Sequence, residues 1–135
     1  MRKILLLMVA AAVVTVPAAL AGNAHFIGAP KISTSGSTAT VSGKVAGLGN
    51  IPDVRVVAEA EAACENRGNN KPQAANKQTV SAEGITPVQN GKAIFSLGLT
   101  ATFQPSCSPP MTVQWTLISV KVFDTSSGEL LAQYP

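Results

Sequence analysis

Aromatic side chains are scarce in this chain, at 4% of residues, and so is charge, at 13%. A core with few aromatics has to be built from aliphatic side chains, and a surface with about half the usual charge has to take its polarity from hydroxyls and amides. Histidine occurs once, as His25, and cysteine twice, as Cys64 and Cys107. Two thiols and one imidazole do not fill a tetrahedral zinc site, and no CxxC spacing marks a redox pair. An EF-hand loop, an internal repeat of fixed period and an Asn-X-Ser/Thr sequon are also missing. No metal and no cofactor are expected.

What is present is a hydrophobic fraction of 46% in 135 residues, enough for one domain. The first 21 residues carry the three parts of a removable export signal: Arg2 and Lys3, an apolar run from Ile4 to Val16 broken at Pro17, and the small residues Ala19 and Ala21 at −3 and −1. The run is shorter than the ~20 residues of a membrane-spanning helix. Cleavage after Ala21 leaves a domain of residues 22–135, and Asn23-Ala24 offers a second site that would end the leader at residue 24. No later stretch is long and apolar enough to span a membrane. Without Arg2 and Lys3, eight basic residues face seven acidic ones. A nearly neutral domain lacks the electrostatic footprint of a nucleic-acid binder. The protein is expected to be secreted.

The mature region alternates with period two. Ala39, Val41, Gly43 and Val45 alternate with Thr38, Thr40, Ser42 and Lys44. Val54, Val56, Ala58, Ala60, Ala62 and Cys64 share one face, while Arg55, Val57, Glu59, Glu61 and Ala63 share the other. The helix formers in 58–63 make a helix the rival reading, but no cap supports it. Strand character resumes from Lys77 to Ile85. Asn90-Gly91 is the pair favoured in tight hairpins, and Ala93, Phe95, Leu97, Leu99, Ala101 and Phe103 mark the return strand. Further on, Val113, Trp115 and Leu117 are out of phase with Ile118, Val120 and Val122, which predicts a β-bulge. Thr125–Gly128 turns the chain into a last strand ending near Tyr134. With a weak opening segment at Lys31-Ile32, about seven strands are predicted. Short strands between Gly, Pro, Asn and Ser breaks predict an all-β fold, an immunoglobulin-like β-sandwich. An even cysteine count in an exported chain predicts one disulfide, Cys64–Cys107. Trp115 is placed to pack near it, although Trp follows both cysteines, unlike the order in true immunoglobulin domains.

The chemistry-bearing residues are few. Glu59 and Glu61 share a strand face and could be read as a carboxylate pair of a hydrolase, but a solvated outer face with Arg55 nearby explains them as well. Asp53, Asp124 and Glu129 are scattered in sequence. His25 would become N-terminal, and a copper chelator, only if cleavage fell after Ala24; a second imidazole is lacking. The polar loop 65–77 is the best candidate for recognising a partner, with Arg67, Asn69, Asn70 and Lys71 able to hydrogen-bond one, but a solvated connector whose Asn and Gly residues satisfy turn geometry is the favoured reading.

Several segments together resemble a family of small secreted proteins found mainly in actinobacteria. They are Ala24-His25-Phe26-Ile27, Ala46-Gly47-Leu48-Gly49-Asn50, Ala63-Cys64-Glu65-Asn66-Arg67-Gly68-Asn69-Asn70, Pro72-Gln73-Ala74-Ala75-Asn76-Lys77, the Asn90-Gly91 turn and Cys107-Ser108-Pro109-Pro110. Glu-Asn-Arg after Cys64 departs from the shorter, more glycine-rich run expected there. The family has no established activity. The resemblance therefore supports export and the disulfide and implies no substrate, cofactor or catalytic residue. The expected role is a non-enzymatic one outside the cell, structural or as a binding module for a protein or cell-envelope partner, with an extracellular hydrolase ranked last.

Overall fold

A computed structural model describes residues 23–66 and 76–135. Every regular element within them is a strand: β1 (His25–Phe26), β2 (Lys31–Ser35), β3 (Thr38–Ala46), β4 (Asp53–Glu65), β5 (Lys77–Pro87), β6 (Ala93–Thr100), β7 (Thr112–Asp124) and β8 (Leu130–Tyr134). The leader 1–21 and the loop residues Arg67, Asn69, Asn70 and Lys71 lie outside the described residues.

The strands form two packed sheets. In the first, β3 is central, with β6 along one edge and β1 and β2 sharing the other. In the second the order is β5-β4-β7-β8, antiparallel throughout. The all-β sandwich and the disulfide are therefore as the sequence predicts. The eighth strand is the two-residue β1, cut off from β2 by the Gly28-Ala29-Pro30 break.

Alternation explains the layers. Every second residue of β4 from Val54 to Cys64 is buried, and so are Ala93, Phe95, Leu97 and Leu99 of β6. The predicted inward faces are the observed ones, and 58–63 is strand. The two faces are complementary in volume. The small residues Ala58 and Ala60 of β4 belong to the same cluster as Phe95, Leu97 and Leu99 of β6. Small residues facing large ones let sheets fill a gap of about 10 Å without voids. Each fully buried Val or Leu contributes roughly 1.5–3 kcal/mol. Among the described residues, no polar or charged side chain is buried.

Two local expectations need refinement. The Asn90-Gly91 turn forms, with φ of 56° and 76° and paired bonds between Gln89 and Lys92. Both positive φ values are what a two-residue primed turn requires. Yet β5 and β6 part after that single bridge and enter opposite sheets. The apolar faces of both strands can then meet the core from opposite sides, and Val88 N–H is spent on the Pro52 carbonyl at 2.9 Å instead of on β6. The β7 bulge also forms: Glu59 faces Ser119 while Ala60 faces Leu117, so Ile118 is the inserted residue. Ile118 is 40% exposed, not inward. Inserting it restores Val120 and Val122 to the core side.

Candidate functional site

The disulfide joins Cys64, at the end of β4, to Cys107 in the connection between β6 and β7, with a Cα–Cα separation of 5.8 Å. That connection carries the chain from the first sheet to the second, so the bridge pins a crossover. Buried Ala62, Ala101 and Phe103 surround Cys64, and Trp115 and Met111 close the cluster from outside. Trp115 Nε1 donates to the Gly36 carbonyl at 2.9 Å. Glu65 and Lys77, which flank the loop, therefore lie at the end of the sandwich that the disulfide and the Trp115 bond brace.

The titratable candidates do not converge. Glu59 and Glu61 lie on the outer face of β4, opposite Ser81 and Ser119, and Thr79 and Thr116, respectively. Arg55 does not offset them. Its guanidinium sits 3.4 Å from Glu83 Oε1 and 4.5 Å above the Phe123 ring centroid. The fold does bring Asp53, Asp124 and Glu129 to one end, where β4 starts and β7 turns into β8. There Asp53 accepts the Thr125 hydroxyl and Asp124 Oδ1 accepts Ser126 N–H at 2.9 Å. These carboxylates hold the turn, and no three metal-ligating groups come together among the described residues. His25 lies in β1, exposed, with Nδ1 2.6 Å from the Asn23 carbonyl. Two shallow depressions share Asn90 at the same end, one lined by Thr86, Pro87 and Ile94.

The most distinctive surface is one that the sequence reading did not single out. Register places Ile85, Arg55, Phe123 and Leu130 side by side across all four strands of the second sheet. Ile85 is 65% exposed and Leu130 46%. Arg55 lies over Phe123 between them, and Val57 and Lys121 occupy the next row. The outer face of the first sheet is richer in hydroxyls. Its rows carry the hydroxyls of Ser33, Thr38, Thr40, Ser42, Ser96 and Thr100, with Ile94, 70% exposed, opposite Lys44 at one end. The signal in the sequence is parity: Ile85, Phe123 and Leu130 are large apolar residues at positions where alternation calls for polar ones.

Among the described residues no helix is long and apolar enough to cross a membrane. The chain matches no protein-family model, no curated protein and no solved structure.

Proposed function

We propose that this protein is secreted and acts outside the cell by association rather than catalysis, through the outer face of its four-stranded sheet. The observation that carries the reading is the row Ile85–Arg55–Phe123–Leu130. Arg and aromatic residues are enriched where proteins dock, and an exposed apolar group on either side adds area to bury. The experiment that tests it is capture of partners from the source's cell envelope and culture fluid on the immobilised protein. Arg55→Glu and Leu130→Asp abolish capture if the face is the docking surface; undiminished capture by both variants removes it.

Export is supported by the leader pattern and by a disulfide, which persists in oxidising compartments. Cleavage after Ala21 is supported by the packing of residues 23 and 24. Ala24 lies against the core, and the backbone of Asn23 fits so closely on Gly47 that no Cβ has room there. A cut after Ala24 would discard both contacts. Intact mass of the exported protein distinguishes the two ends. The resemblance to small secreted single-disulfide domains agrees with this assignment.

The immunoglobulin-like reading is supported by strand order. Naming the strands A to G, with β1 and β2 together as A, gives A-B-E facing D-C-F-G. The central B–E and C–F pairs are those of an immunoglobulin constant domain, with the fourth strand joined to the other sheet. A second association site, the loop 65–77 with Arg67, Asn69, Asn70 and Lys71, is favoured by the anchoring of its base at Cys64. Alanine at those four positions tests it in the same capture experiment.

A further inference from the structure

We infer that the partner of this face is a second copy of the chain, packed sheet to sheet about a two-fold axis that runs parallel to the strands between β4 and β7. The inference rests on the reading of the face as an association surface and names what covers it.

The argument is one of self-complementarity. Across the sheet the first row reads Ile85, Arg55, Phe123, Leu130. Rotation about this axis reverses the order, so Ile85 meets Leu130 of the second copy and Arg55 meets its Phe123. The exposed apolar ends cover each other, and each guanidinium gains a second aromatic face. The next row reads Glu83, Val57, Lys121, Gln133. The same rotation sets Glu83 against an amide and Val57 against the methylene stem of a lysine, which covers apolar surface well. Beyond it, Glu59 meets Ser119 and Glu61 meets Thr116, each a carboxylate facing a hydroxyl. No like charges oppose. An axis through the Val57 row perpendicular to the strands sets Glu83 on Glu83 and Lys121 on Lys121, which costs energy at close quarters. A two-fold contact also closes on itself, so it produces a dimer and no fibre. Face-packed sheets cross at about 30°, which concentrates contact at the apolar rows.

Sedimentation of the exported protein over a wide concentration range tests the inference. A reversible monomer–dimer equilibrium is expected, with Leu130→Asp raising the dissociation constant about tenfold or more. The axis is read by mixing Ile85→Cys with Leu130→Cys under oxidising conditions. Cross-linked dimers containing one of each variant are expected, formed far faster than by either variant alone. A protein that stays monomeric overturns the inference, as does Ile85→Cys linking to itself as readily as to Leu130→Cys. A monomer that still captures an envelope partner in an Arg55-dependent way overturns self-association and leaves the association reading standing. A monomer that captures nothing overturns both.

Discussion

Trp115 in β7 donates its indole N–H to the carbonyl of Gly36, in the turn between β2 and β3, at 2.9 Å. The bond ties one sheet to the other at the end where the disulfide also lies. A half-buried Trp that spends its polar edge in this way stabilises by both packing and bonding. Trp115→Phe keeps most of the apolar contact and deletes the donor. Since Gly36 is exposed, water can replace the lost partner, and the expected loss is about 1 kcal/mol. Urea unfolding checks it, as a lower midpoint with an unchanged slope.

The disulfide closes a loop with a sequence separation of 43. By chain entropy such a loop contributes about 4 kcal/mol, a large part of the roughly 5–15 kcal/mol that a domain has. The double variant Cys64→Ala, Cys107→Ala is expected to lose most of that amount in denaturant unfolding. Losing less than about 1 kcal/mol would mean that the braces around Trp115 and Gln78, whose side-chain amide pairs with both backbone groups of Thr102, already restrict the same crossover.

Two glycines on paired strands should respond oppositely to alanine. A Cβ on Gly43 would stand 2.7 Å from Phe95 Cζ, and Phe95 is a core residue without room to retreat. Gly43→Ala is expected to cost about 1–3 kcal/mol by overpacking. At Gly98 a Cβ meets nothing within 4 Å. Gly98→Ala is expected to be neutral or to stabilise by up to about 1 kcal/mol, because the unfolded chain loses freedom. Thermal unfolding of both variants side by side reads the difference in sign.

Arg55 touches both Glu83 and Phe123. A double-mutant cycle on Arg55→Met and Phe123→Leu is expected to give a coupling of about 0.5–1 kcal/mol at low protein concentration, where the pair acts within one copy. The corresponding cycle with Glu83→Gln should give less and fade with salt, since both partners are solvated.

Period-two alternation was enough to read the strands of this protein, because both sheets bury one face and each slip would turn a strand inside out. The turn at Asn90-Gly91 was equally legible, since its positive φ values need those residue types. Its outcome was not: whether β5 and β6 stay paired depends on β4 and β3 competing for their edges, which no local pattern records. The outer row was missed for the same reason. Ile85, Phe123 and Leu130 are far apart in the chain, and only register makes them neighbours of Arg55. Glu59 and Glu61, adjacent on one strand face and conspicuous in the sequence, face hydroxyls.

The bulge at Ile118 offers the sharpest test of how register holds the fold. Leu117 and Val120 both point to the core side only because β7 carries one extra residue opposite the Glu59–Ala60 step of β4. Deleting Ile118 removes that residue, and one half of β7 must then turn its inward side chains to solvent. Turning Val113, Trp115 and Leu117 outward breaks the Trp115–Gly36 bond and opens the cluster around Cys64. Turning Val120 and Val122 outward exposes two fully buried valines. Either costs at least about 3 kcal/mol at roughly 1.5–3 kcal/mol for each large apolar side chain. The deletion variant is therefore expected not to fold cooperatively. Ile118→Thr leaves the count intact at an exposed position, and its stability should stay within about 0.5 kcal/mol of the parent. Near-ultraviolet circular dichroism of Trp115 reports the contrast directly: retained in the substitution, lost in the deletion. A deletion variant that keeps that signal and a sharp transition would mean that β7 accepts either phase.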